Sequence, residues 1–147
     1  MGRRLARIVD PGAPGAIVLV RGLVGLVFFS EGVQKLLFPA ALGVGRFAKI
    51  GIPAPEVLAP LVGVVEIACG ALVLVGLLTR LAAVPLIATI TVAISTTKVP
   101  LLLHRGVWAA AHEARTDVCM LLGSICLVLV GAGPLSLDAW LSRRLAR

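Results

Sequence analysis

The chain has 147 residues, of which 59% are hydrophobic and only 14% are charged. A soluble domain has about half of its residues apolar and about a quarter charged, and a chain this short cannot bury so much apolar surface in its own interior. The composition therefore excludes an ordinary soluble domain and favours one domain whose partner is the lipid bilayer. The formal net charge of +7 is typical of the positive-inside bias of membrane proteins. Without a soluble basic module it does not indicate nucleic-acid binding.

Four apolar segments are long enough to cross a bilayer, which takes about 20 residues each. Because an isolated span must satisfy its own backbone hydrogen bonds, each segment is predicted to be a helix. The arginines before the first span resemble a signal-peptide n-region, but Arg21 interrupts the apolar run and no small-residue cleavage site follows, so we retain the segment as a span. The predicted fold is all-α, an integral membrane four-helix bundle forming one transmembrane domain over 1–147, with spans near 15–38, 55–78, 80–99 and 116–132.

Short interfacial helices are expected outside the spans. In the 39–54 connection, apolar side chains recur opposite basic ones, which is typical of an amphipathic half-helix at the membrane surface. The 100–115 connection carries Trp108, a usual interface anchor, and Pro100 is expected to close the third span. The tail, 136–147, is predicted to be a capped amphipathic helix on the anionic inner leaflet.

The basic residues predict the orientation of the bundle. Both termini and the short link between the second and third spans share one side, which holds seven arginines: Arg3, Arg4, Arg7, Arg80, Arg143, Arg144 and Arg147. The other side holds four basic residues: Arg46, Lys49, Arg105 and Arg115. The positive-inside rule therefore predicts a multi-pass protein of the bacterial plasma membrane with both termini cytoplasmic.

Ionisable side chains inside spans need partners or a cavity, since each costs about 2.5–3.5 kcal/mol on insertion scales. Glu31 lies one helical turn before Lys35, so the two can pair. We expect a polar pocket entered from the outer face, with Glu66 at its floor and Arg21 and Lys98 neutralising the two glutamates. Its candidate residues are Arg21, Glu31, Gln34, Lys35, Glu66, Lys98, Arg115 and Asp117. Two interpretations stay open: ion pairs that only lock the bundle, or a site for proton-coupled redox chemistry or transport.

Small residues and thiols are interpreted as packing residues. Glycines on one face of each of the first two spans let their backbones approach and leave a homo-oligomer open: Gly25, Gly32, Gly63 and Gly70. The cysteines, Cys69, Cys119 and Cys126, lie in apolar runs without CxxC or metal-ligand spacing, so no metal site is predicted. Their redox state is not fixed by the sequence. His104 and His112 are expected to be interfacial residues rather than haem ligands.

The order and spacing of these residues resemble the DoxX family of small bacterial and archaeal membrane proteins. The pattern is Arg21-x3-Gly25-x2-Phe28-x3-Gly32-x2-Lys35-Leu36, then Phe47 and Gly51-Ile52-Pro53, then Gly63-x2-Glu66-x3-Gly70-x5-Gly76-x3-Arg80. A closing stretch is also similar: Glu113-Ala114-Arg115-Thr116-Asp117 and Gly131-x-Gly133-Pro134-x-Ser136-Leu137-Asp138.

The resemblance implies a four-helix protein of the plasma membrane linked to quinone or thiol redox chemistry. Quinone as a cofactor, and other membrane redox subunits or soluble redox enzymes as partners, enter only through this resemblance. Because the chain lacks paired thiols and an in-span haem ligand, an oxidoreductase-associated subunit is favoured over a free-standing enzyme. The alternatives are a small-molecule transporter or channel that uses the same pocket, and a scaffold that recruits soluble redox enzymes to the membrane.

Overall fold

The computed structural model describes residues 15–145, whose regular structure is entirely helical. The elements are α1 (Ile17–Leu37), α2 (Val44–Lys49), α3 (Pro55–Val75), α4 (Thr79–Ala93), a π-helical turn (Ile94–Lys98), α5 (Val99–Val130) and α6 (Leu137–Leu145). Within this part of the chain, three helical stretches are long and apolar enough to cross a membrane, judged by length and composition: Ile17–Leu37, Pro55–Val75 and Thr79–Val130. The predicted all-α membrane bundle is confirmed.

The third stretch supplies two arms of the bundle because it reverses at Gly106. That residue has φ 80° and ψ 173°, outside the helical region and readily adopted only by glycine. The Arg80 guanidinium donates to the carbonyl of Leu129 at 3.3 Å, and Lys98 Nζ lies 3.2 Å from Asp117 Oδ2. In each contact the two residues lie at similar distances along the chain from Gly106, on opposite sides of it, so α5 runs back antiparallel along α4 and the π turn.

The connection between these two arms differs from the prediction. Pro100 was expected to close the third span and to open a 100–115 connection, but α5 is helical from Val99 to Val130 apart from the break at Gly106. Pro100 lies directly after the π turn, in which the N–H of Val99 donates to the Ile94 carbonyl five residues back. The shifted hydrogen-bond pattern of a π turn accommodates a residue without an N–H, so Pro100 does not end the helical stretch.

The contact between α1 and α3 is set by glycines. A Cβ atom added at Gly25 would lie 2.9 Å from the carbonyl oxygen of Gly70, and one added at Gly32 would lie 2.5 Å from that of Gly63. This register makes the two helices antiparallel and brings their backbones into contact, as small residues do in membrane bundles. In the completed bundle α3 packs against α1 and α4, and α5 packs against α4 and α1.

One end of the bundle, which we call the turn end, holds the α3–α4 turn and the segment 131–138. Gly76 ends α3 with φ 69°, and Leu78 precedes α4 with φ 49°. The backbone N–H groups of Leu78 and Thr79 donate to the Asp138 carboxylate at 2.7 and 3.0 Å, and the N–H of Asp138 donates to the Gly76 carbonyl at 2.8 Å. Asp138 thus satisfies the open N-terminus of α4 and fastens α6 to the bundle.

The two short helices expected at the membrane surface are present as helices. In α2, Phe47 is buried against the bundle while Arg46 is exposed. In α6, Asp138 and Ala139 are buried, and the guanidinium of Arg144 stacks on the exposed ring of Trp140 at 4.1 Å. Their location at the lipid surface stays a prediction. Four of the arginines on which the orientation was argued lie outside the described residues: Arg3, Arg4, Arg7 and Arg147.

Candidate functional site

A cavity of about 410 Å³ lies between the helices at the end opposite the turn end, which we call the cavity end. Its volume is within the range of small-molecule sites, about 300–1,000 Å³. Every helix except α6 contributes to its wall, which is mostly apolar and includes Val27, Phe28, Phe47, Val62 and Met120. The polar wall residues are Glu31, Lys35, Arg46, Glu66, Thr89, Thr96, Thr97, Thr116 and Asp117. The cavity can hold an apolar body while presenting ions and hydroxyl groups to it.

The charged centre of this wall is a triad formed by Glu31, Lys35 and Glu66. Lys35 Nζ lies 2.7 Å from Glu66 Oε2 and 3.5 Å from Glu31 Oε2. The side chain of Glu66 is 7% exposed, that of Lys35 14% and that of Glu31 48%. The triad therefore runs from a nearly buried carboxylate to one that is half exposed.

The glycine contact explains why this triad forms. Lys35 and Glu66 each follow a contact glycine, Gly32 or Gly63, by three residues, which is about 4.5 Å along a helix. Because α1 and α3 are antiparallel, these displacements point in opposite directions. Helical side chains lean toward the N-terminus of their own helix, so Lys35 leans toward the turn end, Glu66 leans toward the cavity end, and the two ions meet.

A second ion pair joins the π turn to α5. Lys98 Nζ lies 3.2 Å from Asp117 Oδ2, with side chains 17% and 25% exposed, and Asp117 lines the cavity. In the same turn, the hydroxyl groups of Thr96 and Thr97 donate to the carbonyls of Val92 at 2.8 Å and Ala93 at 2.6 Å. Their oxygen atoms keep lone pairs toward the cavity, so they can accept hydrogen bonds from a bound molecule. Single π turns inside helices are frequent at functional sites.

Arg21 is not part of this cavity. Its guanidinium is buried at the turn end, where it donates to the carbonyls of Ala132 at 2.7 Å and Leu135 at 2.6 Å. It lies about 15 Å from Glu31 along α1, and its acceptors are carbonyls of the segment that joins α5 to α6. The expectation that Arg21 and Lys98 neutralise Glu31 and Glu66 is therefore wrong. Lys35 forms the ion pairs with both glutamates, and Lys98 forms an ion pair with Asp117.

Two other candidate residues also lie apart from the wall. Arg115 is exposed, and its Nη1 lies 3.2 Å from His112 Nδ1. Gln34 is half-buried and is not among the residues that line the cavity. Glu31, Lys35, Glu66 and Asp117 do line it, and Lys98 joins them through its ion pair.

Sequence reasoning missed Arg46 and the threonine hydroxyls. Arg46 belongs to a connection that was assigned to the membrane surface, and only the burial of Phe47 shows that α2 folds over the cavity. Thr96 and Thr97 directly precede Lys98, but a search for charged groups passes over neutral hydroxyls. A helical projection of 89–97 would have placed Thr89, Thr96 and Thr97 on one side of the helix.

The thiols and potential metal ligands do not add to the site. Cys69 and Cys126 are half-buried against the apolar core, while Cys119 is exposed, and all three are unpaired thiols. Among residues 15–145, His, Cys, Asp and Glu side chains do not gather into a group of three that could hold a metal ion. The functional groups around the apolar cavity are therefore an ammonium donor, carboxylates and hydroxyl oxygens.

Comparisons with known proteins agree with this architecture. The DoxX family model matches residues 16–105, a segment that contains the triad and the glycine contact. The chain is 51% identical over 144 residues to the uncharacterized membrane protein Rv3486 of Mycobacterium tuberculosis, an alignment that covers 94% of this chain and 88% of that protein. No solved structure matches. This chain belongs to the DoxX family of membrane proteins.

Proposed function

We propose that the protein is a subunit of a membrane redox assembly and that its cavity binds a small apolar molecule bearing oxygen acceptors, for which a quinone head group is the best match. The observation that carries the proposal is the Lys35–Glu66 ion pair, 2.7 Å long, in the wall of a mostly apolar cavity. The redox part of the proposal rests in addition on the family membership, since the geometry alone is also compatible with other molecules of this shape and polarity.

The energetic cost of the pair supports a role beyond packing. Desolvating two ions costs several kcal/mol per ion before their attraction is counted, and apolar replacements of similar volume often stabilise a protein as well or better. A pair that faces an open cavity can in addition bind a ligand: Lys35 can donate to a carbonyl oxygen, and Glu66 can take up or release a proton. Phe28 and Met120 line the same cavity and can pack against a ring.

A quinone accepts two electrons and two protons when it is reduced. In this proposal the electrons come from partner redox subunits or soluble redox enzymes, and the protein contributes binding, orientation and, at Glu66, a group that can donate a proton to the reduced quinone. It then acts as an oxidoreductase-associated subunit rather than as a free-standing enzyme. The lipid bilayer is its other partner.

The proposed location is the bacterial plasma membrane, with both termini cytoplasmic and the cavity end outward. At the turn end, Arg80 lies in the first turn of α4, Arg143 and Arg144 lie on α6, and the carboxylate of Asp138 accepts hydrogen bonds from backbone N–H groups. At the cavity end, basic residues are mixed with Glu56 and Glu113. The excess positive charge at the turn end supports a cytoplasmic location for it.

The test is photolabelling of the purified protein in lipid nanodiscs with an azido-substituted short-chain quinone, followed by peptide mapping. Labels are expected on the cavity faces of α1, α3 and α4, and an excess of unlabelled quinone should remove them. The variants Lys35→Met and Glu66→Gln should lower this competed labelling, whereas Arg115→Gln, which changes a cation outside the cavity, should leave it unchanged. Labels spread over lipid-facing residues and insensitive to competition would refute quinone binding.

Transport is a second candidate because the cavity separates two firmly packed units. The α1–α3 pair carries the triad, and the α4–α5 hairpin carries Lys98 and Asp117. Rocking of one unit against the other around a central site is how many carriers alternate their access. Ligand flux into vesicles that is lost in Glu66→Gln, together with an absence of redox partners on purification, would favour transport over the redox assembly.

A further inference from the structure

The triad forms a continuous chain of contacts from the cavity wall toward the surface. Glu66 is its nearly buried member, at 7% exposed, Lys35 bridges at 2.7 and 3.5 Å, and Glu31 is 48% exposed. The exposed fraction rises at each step. Of the two carboxylates, Glu31 is therefore the one more accessible to water.

With both carboxylates and the ammonium ionised, the triad carries a net charge of −1, which one more positive charge would neutralise. Two carboxylates share one ammonium, and like charges this close disfavour having both carboxylates ionised. The neighbouring elements do not supply the missing charge. Lys98 on the π turn is paired with Asp117 on α5, and Arg46, exposed on α2, makes no ion pair with any residue that the structure describes. A single proton completes the balance.

We infer that Glu31 is the port through which a proton passes between water and Glu66, with Lys35 as the intermediate. A proton from water first forms an O–H bond on the Glu31 carboxylate. The Lys35 ammonium gives a proton to Glu66 and takes the proton from Glu31, so one O–H bond breaks, another forms, and lysine ends as the ammonium it was. One proton moves, and no electron or further reactant is needed. The inference rests on the proposed function only for what uses the proton at Glu66.

The test uses the ligand-free protein in lipid nanodiscs, so it does not depend on quinone binding. Rapid-mixing infrared spectroscopy after transfer from H₂O to D₂O follows the carbonyl stretch of a protonated glutamic acid. The band is assigned to Glu66 by its loss in Glu66→Gln. Removing a positioned proton-transfer group costs about 100-fold or more in rate, so Glu31→Gln should slow deuteration of the Glu66 band by that order.

Controls separate the port from a merely structural role. Glu31→Asp should restore most of the rate, and Glu113→Gln, which removes an exposed carboxylate outside the cavity, should leave it unchanged. If Glu31 only holds Lys35 in place, Glu31→Gln will shift the pH midpoint of the Glu66 band without slowing its deuteration, and the inference falls. It also falls if no glutamic acid band disappears in Glu66→Gln at any pH at which the protein stays folded. Photolabelling by quinone is read separately, so either proposal can fail while the other stands.

Discussion

Breaking the Lys35–Glu66 pair from one side should cost far more stability than removing both ions. The two side chains are 14% and 7% exposed and 2.7 Å apart, so Lys35→Met leaves the Glu66 carboxylate nearly buried and without its paired cation. Removing one partner of such a pair typically costs about 3–5 kcal/mol. The double variant Lys35→Met with Glu66→Leu replaces both by apolar side chains of similar volume, and we expect it to recover most of that loss.

The assay is a double-mutant cycle on unfolding in mixed micelles, with photolabelling measured on the same samples. The Lys98–Asp117 pair is the matched control, since its side chains are more exposed, at 17% and 25%, and its coupling should be closer to the value of about 1 kcal/mol or less for exposed pairs. The double variant should fold and fail to bind quinone. If the double variant is as unstable as Lys35→Met alone, the two ions do not stabilise each other and the reasoning fails. If the double variant folds and still binds quinone, the ion pair only stabilises the bundle and has no role in binding.

Three further predictions address the fold and its orientation. Gly32→Leu should separate α1 from α3 and abolish quinone labelling, because its Cβ would lie 2.5 Å from a facing backbone carbonyl, whereas Gly22→Ala, with no atom within 4 Å, should be neutral in thermal melting. Asp138→Ala leaves two backbone N–H groups without their acceptor and should cost about 2–6 kcal/mol, at about 1–3 kcal/mol per group, in the same unfolding assay; a loss below about 0.5 kcal/mol would show that water replaces the carboxylate. In spheroplasts, a membrane-impermeant thiol reagent should label Arg105→Cys and not Arg144→Cys, and the reverse pattern would invert the proposed orientation.

The fold was largely predictable because its two determinants are local. Span length and composition indicate membrane helices, and the spacing of four between Glu31 and Lys35 places their side chains on one helical face. Pro100 misled the prediction because a proline usually ends or kinks a helix, whereas here it follows a π turn inside a continuous helical stretch. The sequence does not reveal that π turn.

The candidate site was less predictable because it depends on contacts between helices. The sequence predicted Glu66 at the floor of a polar pocket, but only the antiparallel glycine contact shows that it meets Lys35 rather than Arg21. The partners of Arg21 are backbone carbonyls exposed where α5 ends. A search that pairs cations with carboxylates cannot find such partners, since every residue has a carbonyl.

The buried charges of this chain therefore form two systems with different consequences. At the turn end, the hydrogen bonds of Arg21 and Asp138 go to backbone groups of 76–79 and 131–136, so these two side chains hold chain segments together. At the cavity end, Lys35 and Glu66 face a space that no side chain fills. Substitutions in the first system should reduce stability and ligand binding in proportion, because they act on the folded population. Conservative substitutions in the second should separate the two, and a Glu66→Gln variant that loses stability and binding in strict proportion would place the triad with the first system.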